Sequence, residues 1–75
     1  MKNILCIEIL SNDVYIEFTD GDIQYISFTQ AKKILSKEFY SIKFSCIDSA
    51  RSVAFLNSLL HKYTIIDDIL VPRTH

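Results

Sequence analysis

Two cysteines (Cys6, Cys46), two histidines (His61, His75) and nine carboxylates are the side chains here whose types could carry nucleophilic, acid–base or metal chemistry. None stands in a spacing that such chemistry needs. A Cys–His pair requires thiol and imidazole in contact, and Cys46 lies in a run whose alternation points it into the core. Serines are plentiful, but there is no Gly-x-Ser-x-Gly elbow. A chain with one glycine, Gly21, can hardly build a phosphate-cradling loop. His61 with Asp67, Asp68 and His75 offers ligand types, yet the spacing matches no metal motif. The sequence therefore predicts a non-enzymatic protein with no catalytic residues, no cofactor and no metal.

What remains is chemistry of contact. Glu8, Glu17, Asp20, Asp22, Asp67 and Asp68 could meet lysines and arginines on a partner, with Leu10 and Tyr15 as apolar anchors. A second set, Lys32, Lys33, Lys37 and Lys43, with Tyr40 nearby, could touch phosphates, although Glu38 interrupts it. Ordinary solvated faces would have the same composition, so placement decides between these readings.

The elements that must position these groups follow from periodicity. Leu5, Ile7 and Ile9 alternate with Cys6, Glu8 and Leu10. Val14, Ile16 and Phe18 alternate with Tyr15, Glu17 and Thr19, and Ile23, Tyr25 and Ser27 alternate with Gln24, Ile26 and Phe28. Asp20-Gly21 between two such runs is the strongest short-range hairpin signal, and Asn12-Asp13 is the simplest reversal between the first two. Two-residue turns at both places set Ile9 against Ile16, Ile7 against Phe18, Phe18 against Ile23 and Ile16 against Tyr25. With Leu5 and Val14, these make one apolar face for helices to cover. The other face then carries Glu8, Glu17 and Gln24 in one row, and Leu10, Tyr15 and Ile26 in the next. The whole reading depends on phase, because a slip of one residue turns every side chain over.

Further along, Ser27-Phe28-Thr29-Gln30 fits a capping box, and a first helix runs to about Phe39 on Phe28, Ala31, Ile34, Leu35 and Phe39. Tyr40 to Cys46 alternates as a fourth strand. Asp48 or Ser49 caps a second helix extending to about Tyr63, with Val53, Leu56, Leu59, Leu60 and Tyr63 inward. Residues 64–71 read as a short edge strand or a docked tail. The expected fold is α+β, in the order β-β-β-α-β-α. A three-stranded antiparallel meander is joined by a fourth strand, parallel to the first if the two are neighbours, and two helices pack on one face.

Seventy-five residues, nearly half of them apolar, suit a single compact domain over residues 1–75 with a thin core. No apolar run is long enough to span a membrane. Glu8 breaks the N-terminal apolar run and no cleavage site follows, so a cytoplasmic protein with two reduced thiols is expected. A net charge of −1 gives no global field for nucleic acid.

In profile the chain is similar to small inhibitors encoded by phages and mobile elements, such as anti-CRISPR proteins: one α+β domain, no catalytic set, and acidic and aromatic groups on an open face. That is a likeness of type and carries no residue roles. It implies a protein-binding inhibitor that blocks a basic, nucleic-acid-binding surface of a larger complex. The alternatives are a nucleic-acid-binding regulator using the four lysines, or a homodimeric structural subunit.

Overall fold

A computed structural model describes residues 2–37, 41–47 and 49–73. Its elements are β1 (Ile4–Ile9), β2 (Val14–Phe18), β3 (Ile23–Ile26), α1 (Phe28–Leu35), β4 (Ile42–Cys46), α2 (Ala50–Leu59), β5 (Tyr63–Ile66) and β6 (Ile69–Pro72). The strands form one mixed sheet in the order β3-β2-β1-β4-β6-β5. The α+β class and the opening meander are as expected, and β4 does run parallel to β1. The strand count differs, because the C-terminal segment is a hairpin rather than a lone strand or a tail. Its turn places Asp67 and Asp68 at φ of 51° and 61°. Both central residues are thus left-handed, as a two-residue turn between right-twisted strands requires. Asp tolerates that region better than most residues, through local hydrogen bonding. β6 then pairs with β4, setting Leu70 against Ile42, and β5 takes the edge.

The two opening hairpins depart from the expected register in different ways. Between β1 and β2, Leu10 N donates to Asp13 O at 2.9 Å, so the reversal is Ser11-Asn12 rather than Asn12-Asp13. Ile7 faces Ile16 and Ile9 faces Val14, a shift of two that leaves Cys6–Ile9 and Val14–Phe18 on their expected faces. Between β2 and β3 the slip is one. Gly21 N donates to Phe18 O at 3.0 Å and Phe18 N to Asp22 O at 2.9 Å, enclosing a three-residue loop with Gly21 at φ +91°. This is a turn followed by a left-handed glycine bulge, the second way in which Asp-Gly can close a hairpin. Ile16 consequently faces Gln24, and Tyr15 faces Tyr25. β3 is turned over, with Ile23 and Tyr25 exposed while Ile26 packs against the core. A further bulge between Ile4 and Cys6 buries Ile4 and exposes Leu5, the reverse of the expected phase.

Both helices cover one side of the sheet. Ala31 and Leu35 of α1, and Phe55 and Leu59 of α2, join Ile7, Ile9, Val14, Ile16, Ile42 and Leu70 in a single core. Burying each large aliphatic there contributes about 1.5–3 kcal/mol. α1 starts as the sequence says: Gln30 N donates to Ser27 Oγ at 3.2 Å, and the Gln30 side chain reaches back to Ser27 N. α1 ends at Leu35, short of the expected Phe39: Ser36 is its C-cap and Lys37 is already in a turn, while Phe39 itself lies outside the described residues. α2 is capped by Ser49 but is rotated and shorter than expected. Its inward residues are Ser52, Phe55 and Leu59, Val53 is exposed, and the helix stops before Tyr63. Ser52 is admitted to the core because its hydroxyl donates to Leu10 O at 2.7 Å, which satisfies both groups. Arg73 donates through Nε to Leu60 O at 2.8 Å, placing a cation at the carbonyl end of α2, where the helix dipole favours it. Tyr63 begins β5 and donates its hydroxyl to Leu35 O at 3.1 Å, tying the C-terminal hairpin to the end of α1.

Candidate protein-docking face

The side of the sheet away from the helices is open. Register places its side chains in rows running across the strands. One row is Ile23, Glu17, Cys6, Lys43, Ile69 and Ile66, crossing all six strands. The neighbouring row is Tyr25, Tyr15, Glu8 and Ser45. Tyr25 is 68% exposed, Ile66 55% and Ile23 49%. The Tyr15 and Tyr25 rings meet edge to face, with centroids 5.3 Å apart and planes at 66°. That geometry sets the positive edge of one ring against the negative face of the other.

The carboxylates on this face are arranged differently from the expected rows. Glu8 stands opposite Tyr15 and Glu17 opposite Cys6, so the two glutamates are diagonal neighbours and no longer in direct like-charge opposition. Tyr15 donates its hydroxyl to Glu17 Oε1 at 2.9 Å. This bond, helped by partial burial and the Glu17 charge, pushes the Tyr15 phenol up to about 12. Tyr15 is thereby held as a neutral donor, and Glu17 presents its remaining lone pairs outward. The Cys6 thiol is also pushed up, first by burial and then by Glu8 and Glu17, with Lys43 opposing. It is kept protonated and is a poor nucleophile. Cys6 opens on this face, whereas Cys46 packs on the core side. His61 follows the far end of α2 from Cys46, about 15 Å of helix away. The structure brings no thiol to an imidazole among these residues, and no metal-binding group occurs among the described residues.

The other residues singled out in the sequence are dispersed. Leu10 is half-buried at the β1–β2 turn. Asp20 and Asp22 build the second turn: Asp20 Oδ1 accepts from Asp22 N at 3.0 Å, and Asp22 Oδ2 accepts from Lys2 Nζ at 2.6 Å and from Gln24 Nε2 at 3.2 Å. Lys2 also stands over the Phe18 ring, 4.6 Å from its centroid. Asp67 and Asp68 are exposed in the last turn, on the far side of β4 from Glu8 and Glu17. Of the six carboxylates, the open face groups only Glu8 and Glu17. The lysines are divided too. Lys32, Lys33 and Lys37 are exposed on or just after α1, while Lys43 projects from the opposite side of the sheet. Sequence reading missed Tyr25 and Ile23, which the two-residue turn had placed inward. The signal that could have found them is the ability of Asp-Gly to end a three-residue loop as well as to form a two-residue one.

No described helix is long and apolar enough to cross a membrane. No known protein family matches the chain, and neither a characterised protein nor a solved structure is significantly similar to it.

Proposed function

We propose that this chain is a non-enzymatic, cytoplasmic protein-binding module that docks through the open face of its sheet. Tyr15, Tyr25 and Ile23 are the apolar anchors, and Glu8 and Glu17 are the charged contacts. The carrying observation is Tyr25, a ring 68% exposed on a strand with no helix above it, held against Tyr15 and beside a carboxylate. Tyrosine brings a large contact area with few rotors to freeze, which is why such rings anchor interfaces. The adjoining carboxylates select a partner surface rich in arginine and lysine. A surface of that kind on a nucleic-acid-handling complex is blocked when the module sits on it, so the chain acts as an inhibitor. Asp20, Asp22, Asp67 and Asp68 lie around the margin and steer the approach.

Affinity capture on the immobilised chain tests this. A partner should be retained by wild type and by Lys33→Gln on the helical side, displaced by soluble polyanion, and lost from Glu17→Lys/Tyr25→Ala. Equal retention by the double variant removes this face from the function.

A further inference from the structure

The side of the molecule opposite the open face carries a second surface, of the other sign. Residues Phe28–Lys37 and Ala50–Lys62 contain five cations, Lys32, Lys33, Lys37, Arg51 and Lys62, and no carboxylate. A groove runs between α1 and α2. Its first part, about 360 Å³, has Arg51 and Ser58 on the α2 wall and Lys32 and Thr29 on the α1 wall, with the Ser58 hydroxyl donating to Phe55 O at 2.6 Å. Its second part, about 140 Å³, shares Lys32 and Ser58 and continues to Lys62. Among the described residues, Arg51 is held in place by neutral partners. Its guanidinium carbon lies 5.4 Å from the Phe28 ring centroid, Phe28 stacks on Phe55 at 5.0 Å, and Nη1 donates to the neutral Asn12 Oδ1 at 3.2 Å. Among the described residues, none of these cations forms an ion pair. Phe55 is buried and Phe28 is covered by Arg51, so no ring is free for a base to stack on.

We propose that this groove binds the phosphodiester backbone of a single nucleic-acid strand, without reading its bases. Arg51 and Lys62 stand at the two ends of α2, whose ten residues are about 15 Å long. That length takes roughly three phosphates of an extended single strand, whose backbone is drawn out well beyond the about 3.4 Å per nucleotide of a stacked duplex. Cations on both walls and the Thr29 hydroxyl suit a line of phosphates, which take charge from Lys and Arg and a hydrogen bond from Thr. The set differs from the four lysines expected from sequence, since Arg51 and Lys62 join it and Lys43 lies on the wrong side. The inference is independent of the sheet-face reading, because the two surfaces share no residue.

Fluorescence anisotropy of the full chain with a labelled single-stranded oligonucleotide of about twelve nucleotides tests it. Binding should be present at about 50 mM salt and fall roughly twentyfold by about 200 mM, the slope for three phosphates neutralised. Lys32→Glu/Arg51→Glu should weaken it at least about tenfold, while Lys2→Gln, which pairs with Asp22 and does not line the groove, leaves it within about twofold. Arg51→Glu could loosen Phe28, so Lys32→Gln/Lys62→Gln provides the second arm. Losing two cations should flatten the log–log salt slope by about 1.4, a change that loss of folding does not produce. No binding at about 50 mM overturns the proposal. So does an unchanged slope in the second variant, or binding to phosphatidylserine vesicles with none to the oligonucleotide.

Discussion

The two sides of this sheet differ in what covers them and in the charge they show. The inner side is closed by two helices whose outward residues are basic. The outer side is bare and carries tyrosines, isoleucines, two glutamates and one lysine, Lys43. Segregation is just as clear along the chain: residues 2–26 hold five carboxylates against Lys2, while both helices are free of carboxylates in their described residues. A net charge of −1 conceals a bipolar molecule. Composition averaged over a chain therefore says little about the fields its faces present, and charge has to be placed on the fold before a partner class is excluded.

The contrast between the sides can be broken most severely from within. Ile16 is fully buried against the helices and Tyr25 is the most exposed large apolar residue on the bare side. Ile16→Ala should cost about 3 kcal/mol in urea unfolding, since deleting a buried aliphatic loses transfer energy and leaves a cavity. Tyr25→Ala should cost no more than about 1 kcal/mol, chiefly the edge-to-face contact with Tyr15. Similar costs at the two positions would mean that the sides are not distinct.

A smaller effect comes from the loop that turns β3 over. Nothing lies within 4 Å of where a Cβ on Gly21 would sit, so Gly21→Ala meets no clash and reports only the left-handed backbone. It should cost about 1–2 kcal/mol in the same measurement. A neutral or stabilising result would imply that the loop is not a left-handed glycine bulge.

Smaller still are effects that titrate. The hydrogen bond to Glu17 raises the Tyr15 phenol to about 12 from an ordinary 10.0. Its contribution to stability is complete below pH 10 and is lost as pH climbs toward 12, because only the native state holds the proton in that window. Ultraviolet titration should show a late phenol that is missing in Tyr15→Phe and shifted toward the ordinary value in Glu17→Gln. Asp22 behaves oppositely: the bond from Lys2, with that from Gln24, lowers its pKa. That stability is present above the ordinary carboxylate value and is lost as pH falls through the lowered one. With both partners of the ion pair exposed, Lys2→Gln should produce the least change of all, confined to the loss of part of this acid-range dependence.

Much of the framework was legible because several local signals agreed. The Ser27–Gln30 capping box marked the start of α1, and alternation gave the buried faces of β2 and of β1 from Cys6 onward even though their turn was misplaced, since a shift of two preserves parity; only the bulge at the start of β1 reversed Ile4 and Leu5. β3 was not legible for a specific reason. In Ile23-Gln24-Tyr25-Ile26, three of four residues are apolar, so either phase buries an acceptable pair and only the loop geometry decides. The face of α2 was obscured by Ser52, a polar residue made compatible with burial by one carbonyl acceptor on a distant turn. The last hairpin was hidden because Asp-Asp is a weak turn signal beside Asn-Gly or Asp-Gly. The candidate face inherited the β3 error: Tyr15 and Glu17 were placed correctly and their partners Tyr25 and Ile23 were not.

The outward turn of β3 is what creates the docking face, and nuclear Overhauser contacts from the Tyr25 ring measure it directly. The expected result is strong contact with the Tyr15 ring and none with the methyls of Ile16 or Leu35. Contact with those methyls, and none with Tyr15, would put Tyr25 inside the core and contradict the proposed face.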